Sequence, residues 1–126
     1  MKIMAVDYGA KRVGIASTDE SGEFALPRAV LPNDQTFLEK ILKTINDEKI
    51  ERVVVGDSKN LDGSPNIISQ DIKLFVEKLK AEKIDVVMHP EVYTSMEADR
   101  IQGQNEMRDA SAAALILKSY IDLQNN

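Results

Sequence analysis

Cysteine is absent from the 126 residues. Its absence excludes disulfides, zinc–thiolate sites and thiol nucleophiles. No apolar run approaches the ~18 residues a membrane-spanning helix needs. There is no internal repeat, low-complexity segment or linker, and no Gly-x-Ser-x-Gly element that would announce a serine nucleophile. Histidine is scarce: His89 is the only one, and a lone histidine at a strand end reads as structural. Positive charge is also short, with 16 Lys and Arg against 21 Asp and Glu for a net charge of −5. Weak long-range attraction for a phosphate backbone is therefore expected. A site that gathers acids around a cation would reverse that sign locally.

What remains is a chain with 43% hydrophobic residues, enough for a core at this length. One domain over residues 1–126 is expected. The N-terminal apolar stretch meets Asp7 too early for a secretory signal, so a cytoplasmic protein without membrane contact is expected.

The pattern along the chain is that of an α/β domain. Lys2 to Val6 reads as a strand covered on both faces. A turn over Asp7-Tyr8-Gly9-Ala10 leads to a second strand, Arg12 to Ser17. After a turn at Asp19-Glu20-Ser21-Gly22, Glu23 to Val30 reads as a third strand. Phe37, Leu38, Ile41, Leu42 and Ile45 then form one helical stripe, with Asn33 or Asp34 as its N-cap. Arg52 to Val55 is a β-branched strand stopped by Gly56, and a loop runs from Asp57 to Asn66. Ile68, Ile72, Phe75, Val76 and Leu79 mark a second amphipathic helix, with Pro65 near its first turn. Ile84 to Met88 is a fifth strand, ended by Pro90. Thr94-Ser95-Met96-Glu97 has the form of a capping box for a short helix ending at Gly103. A last helix begins at Asp109, and its alanines suit close packing on a sheet.

This order predicts a five-stranded mixed sheet flanked by helices, an antiparallel meander followed by parallel strands. The first, fourth and fifth strands run parallel, so their C-terminal ends share one edge, the usual ligand edge of an open α/β sheet. Asp7, Asp57 and Glu91 fall at or just beyond those ends. Asp109 opens the last helix on the face it shares with Ala112, Ala113 and Ile116. Carboxylates converging from strand ends and a helix start are a ligand set for Mg²⁺ or Mn²⁺, because hard cations take oxygen donors. Such ions support phosphodiester hydrolysis without a side-chain nucleophile. Each acid also has a structural reading: Asp7 in an Asp-x-Gly turn, Glu91 as a solvated loop acid, Asp109 as an N-cap. Tyr8 and Tyr93 flank the acids, either as lids on the core or as platforms for a base or sugar. Lys11, Arg12, Lys59, Arg100 and Arg108 lie beside the acids.

Four segments carry a resemblance. Asp7-Tyr8-Gly9-Ala10-Lys11-Arg12-Val13-Gly14-Ile15-Ala16 resembles the opening motif of the YqgF family of Holliday junction resolvase-like proteins, also described as pre-16S rRNA nucleases. Val54-Val55-Gly56 followed by Asn60-Leu61-Asp62-Gly63 resembles the family's second segment. Thr94-Ser95-Met96-Glu97-Ala98 and Asp109-Ala110-Ser111-Ala112-Ala113 resemble its third and fourth. The resemblance implies an RNase H-like fold and a metal-dependent endonuclease acting on structured RNA or branched DNA, chiefly in rRNA maturation. It implies Asp7, Glu91 and Asp109 as catalytic and metal-binding acids. Lys11, Arg12, Asn60, Asp57 and Arg108 are the candidate substrate contacts, Arg108 filling a position often basic in the family.

The sequence departs from the family at two places. Pro90-Glu91-Val92 stands where the family reads Asp-Glu-Arg, and Asp57-Ser58 stands where Leu-Pro is usual. Loss of that arginine removes a group able to grip a phosphate or stabilise its transition state. It motivates an alternative reading, a nucleic-acid- or ribosome-associated binding module with weak or no catalysis on the same fold. An ATP-binding protein of the actin–hexokinase kind would need two such domains. Monomer and homodimer both remain open, although paired cuts in a symmetric junction call for two-fold symmetry.

Overall fold

A computed structural model describes residues 1–57, 68–90 and 108–124, and of Pro90, Arg108, Asp109 and Ser111 the backbone alone. The expected capping-box helix, Pro65, Asn60, Tyr93 and Glu91 lie outside these residues. Five strands form one sheet in the order β3-β2-β1-β4-β5. They are β1 (Ile3–Tyr8), β2 (Arg12–Thr18), β3 (Ala25–Pro32), β4 (Arg52–Asp57) and β5 (Val86–Pro90). The helices are α1 (Phe37–Asp47), α2 (Ser69–Ala81) and α3 (Arg108–Gln124). β1–β2 and β2–β3 pair antiparallel, and β1–β4 and β4–β5 pair parallel. This is the expected RNase H-like mixed sheet.

β1 lies at the centre, and its pleat sorts the molecule into two layers. Met4 and Val6 join Phe37, Ile41, Ile72, Phe75 and Leu79 in a core under α1 and α2. Ile3 and Ala5 join Ala113, Ile116, Leu117 and Tyr120 under α3. β4 divides the same way, with Val53 and Val55 towards α1 and α2 and Val54 towards α3. Ile3–Val6 and Val53–Val55 are apolar throughout because both faces of the sheet are covered there.

Several boundaries differ from the sequence reading. β1 runs on through Asp7 and Tyr8, read as a turn, because both still pair with β2. β4 runs on through Gly56 and Asp57, read as a stop and a loop, because both still pair with β5. β3 starts at Ala25, later than expected, because the hairpin reaches as far as the Asp19 N–H bond to the Phe24 carbonyl. β5 starts at Val86. Ile84 belongs to the end of α2, where Lys83 takes φ 64° and Ile84 N–H donates to the Leu79 carbonyl at 3.2 Å. The strand then includes Pro90, which an outer strand tolerates because it has a neighbour on one side only. β3, the other outer strand, contains Pro27 and Pro32. Finally, neither Asn33 nor Asp34 is the N-cap of α1. That position is Thr36, whose side chain makes no capping bond.

Candidate functional site

Asp7 lies near the C-terminal end of β1, half-buried, paired with Gly14 of β2. The pleat places it on the same face as Ile3 and Ala5, the α3 face. Its neighbour Tyr8 takes the other face and packs on Phe37 and Phe75, with ring centroids 6.1 and 5.1 Å away. Tyr8 is thus a lid on the larger core.

The contacts of α3 give its direction. Tyr120 OH accepts a 2.7 Å hydrogen bond from Arg52, and Arg52 pairs with Ile3 at the start of β1. The C-terminal half of α3 therefore sits over the N-terminal ends of β1 and β4. From Ile3 to Asp7 is ~13 Å of strand at ~3.3 Å per residue. The same distance is about nine residues of helix at ~1.5 Å each. Counting back from Tyr120 reaches the first turn of α3, which begins Arg108-Asp109. For a helix running alongside β1, that count brings the helix start to the end of the sheet that holds Asp7.

Arg52 holds the opposite end. Its guanidinium donates to Asp85 at 2.8 Å as well as to Tyr120. These two bonds, Asp85 first, raise its pKa further above the ordinary arginine value. His89 ties β5 to the same helix. It is buried, lies 2.9 Å from Ser119 Oγ and meets the Tyr120 ring edge-on at 6.0 Å. Burial lowers its pKa, so it is a neutral structural histidine, as its isolation in the sequence implies. Glu91 is the next residue but one along the chain.

The turn between β1 and β2 is held from outside. Asn33 Nδ2 donates to the Gly9 carbonyl at 2.8 Å, and Asn33 N–H donates to the Lys11 carbonyl at 2.9 Å. A Cβ on Gly9 would come within 2.5 Å of the Arg12 carbonyl oxygen, so only glycine fits. Lys11 and Arg12 are exposed on this turn. Asn33 is the residue that sequence reasoning misplaced. Its partners Gly9 and Lys11 are 24 and 22 residues away in sequence, beyond any local pattern.

Asp57 ends β4 and pairs with Pro90. By the alternation of Val53, Val54 and Val55 it falls on the α1–α2 face, opposite Asp7. Among the described residues no three His, Asp or Glu side chains gather as metal ligands. Glu91 and the Asp109 side chain lie outside that set. Among the described residues no helix is long and apolar enough to cross a membrane.

Three comparisons bear on this arrangement. The family described as "RuvX: Holliday junction resolvase" matches residues 1–123. A protein of Thermoanaerobacter pseudethanolicus named "Putative pre-16S rRNA nuclease" is 33% identical, over 100% of this chain and 99% of its own. The fold is similar to that of Thermus thermophilus RuvC in complex with a Holliday junction substrate, at TM-score 0.66 and 12% identity, covering 100% and 97% of the two chains. It is also similar to the fowlpox virus resolvase in complex with Holliday junction DNA, at TM-score 0.65 and 12% identity, covering each chain fully.

Proposed function

Because the chain belongs to the RuvX family of Holliday junction resolvases, we propose that it binds structured RNA or branched DNA across the edge where β1, β4 and β5 end and α3 begins. One inference supports this reading: the Arg52–Tyr120 bond and the register of β1 and β4 bring the start of α3 towards the face and end of the sheet that hold half-buried Asp7. Exposed Lys11 and Arg12, on a turn pinned by Asn33, supply the phosphate contacts beside it. A pinned turn loses little entropy when it engages a ligand.

The finer reading is phosphodiester hydrolysis with Mg²⁺ or Mn²⁺, in maturation of pre-16S rRNA or on junction DNA. The candidate donors fit such an ion in kind. Asp7, Glu91 and Asp109 are carboxylates, and Asp7 stands on a central strand that gives it a fixed backbone. A bound ion would polarise the phosphate and acidify a water. The chain's own part is to hold Asp7 rigidly, to orient a phosphate with Lys11 and Arg12, and to bring Arg108 to the same edge. Val92, where the family reads arginine, favours the coarser reading of binding with little turnover.

Labelled pre-rRNA fragments and four-way junctions with Mg²⁺, Mn²⁺ or EDTA, beside Asp7→Asn, separate the two readings. Hydrolysis predicts cutting by the native chain that EDTA and Asp7→Asn abolish, with binding retained. Binding without cutting leaves the coarser reading. Cleavage persisting equally in EDTA or in Asp7→Asn rejects the metal chemistry. Affinity that ignores salt rejects phosphate contacts altogether.

A further inference from the structure

Across β1 from Asp7 lies a cavity that the reading above does not use. It has a volume of about 290 Å³ and opens at the same edge of the sheet, on the α1–α2 face. Tyr8, Phe37 and Phe75 line its inner side. Gln35, from the segment before α1, and Asp71, Leu74 and Lys78, from α2, line its mouth.

Size and chemistry narrow the ligand. A protein cavity of about 150 Å³ takes one benzene ring, so this volume suits a flat one- or two-ring group. An aromatic inner wall favours a π face. Asp34 and Asp71 both border the opening. Asp34 stays ionised, because the Thr36 hydroxyl and N–H both donate to it and lower its pKa. Two carboxylates oppose an anion, so a free phosphate is a poor occupant. They accept from N–H groups, while Lys78 donates and Gln35 does both. A flat uncharged ring whose edge carries donors and acceptors is a nucleobase.

Resting on the nucleic-acid reading above, we propose that this cavity receives one unpaired nucleobase of the bound strand. Asp7 and Tyr8 are consecutive residues on opposite faces of β1. A strand crossing the edge would leave its phosphate on the Asp7 side and drop a neighbouring base beside Tyr8. Unpaired bases are the parts of RNA that proteins read by aromatic stacking and edge hydrogen bonds. The pocket makes the chain a reader of unpaired nucleotides as well as of backbone.

The test uses the whole chain and four nucleosides: guanosine, adenosine, cytidine and uridine. Backbone amide NMR signals of Gln35, Leu74, Phe75 and Lys78 are expected to shift on titration. Leu74 is 51% exposed, so Leu74→Trp fills the mouth without disturbing the core and should abolish those shifts. Leu123→Trp, at an exposed position on α3, should leave them. An RNA duplex with one bulged, unpaired nucleotide should bind Leu74→Trp roughly five- to 150-fold more weakly than the native chain, the range for losing one stacked base. The fully paired version should bind both variants alike. Absence of nucleoside shifts, or shifts that survive Leu74→Trp, overturns the proposal. If RNA still binds in that case, the nucleic-acid reading stands alone. If neither RNA nor nucleosides bind, both fall.

Discussion

The two faces of the sheet are built on different plans. Under α1 and α2 the side chains are large: Met4, Ile41, Ile72 and Leu79 are almost wholly buried, and Tyr8, Phe37 and Phe75 pack ring against ring. Under α3 the layer also holds large residues, Ile116, Leu117 and Tyr120, but small ones stand at its centre: Ala5 and Ala16 of the sheet and Ala113 of the helix. Bulky residues hold two helices at a distance and fill the gap. Alanines let one helix approach closely and put its first turn beside a strand end. The first plan supplies stability. The second fixes the position of the backbone that carries the candidate acids.

The sharpest way to break the comparison is to empty the large core. Leu79→Ala, at a fully buried position, should cost about 2–5 kcal/mol, read as a lower urea midpoint at unchanged slope. Its effect on nucleic-acid affinity at a temperature where the variant stays folded should be negligible. The reverse change on the other face comes next. Ala113 is fully buried, and Ala113→Leu should cost about 1–3 kcal/mol by overpacking. It should also push α3 off the sheet and weaken nucleic-acid binding out of proportion to the lost stability. Equal functional loss in both variants would erase the distinction between the faces.

A smaller effect follows from His89. Burial depresses its pKa below the ordinary 6.5, so between the two values the unfolded chain binds a proton that the folded chain does not. Stability should therefore fall as pH drops below about 6.5 and level off once pH passes the folded pKa. His89 is the sole histidine, so His89→Gln should flatten that part of the curve. The smallest effect is expected at the surface. The Lys118–Asp122 pair spans 3.8 Å with both side chains well exposed, and Lys118→Ala should change stability by less than about 0.5 kcal/mol.

Much of this plan was legible in the residues. The unbroken apolar runs at Ile3–Val6 and Val53–Val55 marked central strands, and the alanines after Asp109 marked a helix lying close to the sheet. Parallel pairing of the first, fourth and fifth strands followed from the alternation of strand and helix. Other features depend on contacts between distant segments, which no window of sequence contains. The Asn33 clamp on Gly9 and Lys11 is one. The Arg52–Tyr120 bond, which sets the direction of α3, joins residues 68 apart. The face taken by Asp57 needed the register of β4, since its position at a strand end was visible but its side of the sheet was not.

Both flanks of the sheet carry prolines: Pro27 and Pro32 on β3, and Pro90 on β5. Each removes an amide donor from a margin where another molecule's strand could otherwise dock. Neither rim therefore offers an unbroken template for chain-to-chain growth. In a concentrated stock the protein should resist forming ordered fibrils, and replacing these prolines with valine would be a direct route to seeding them.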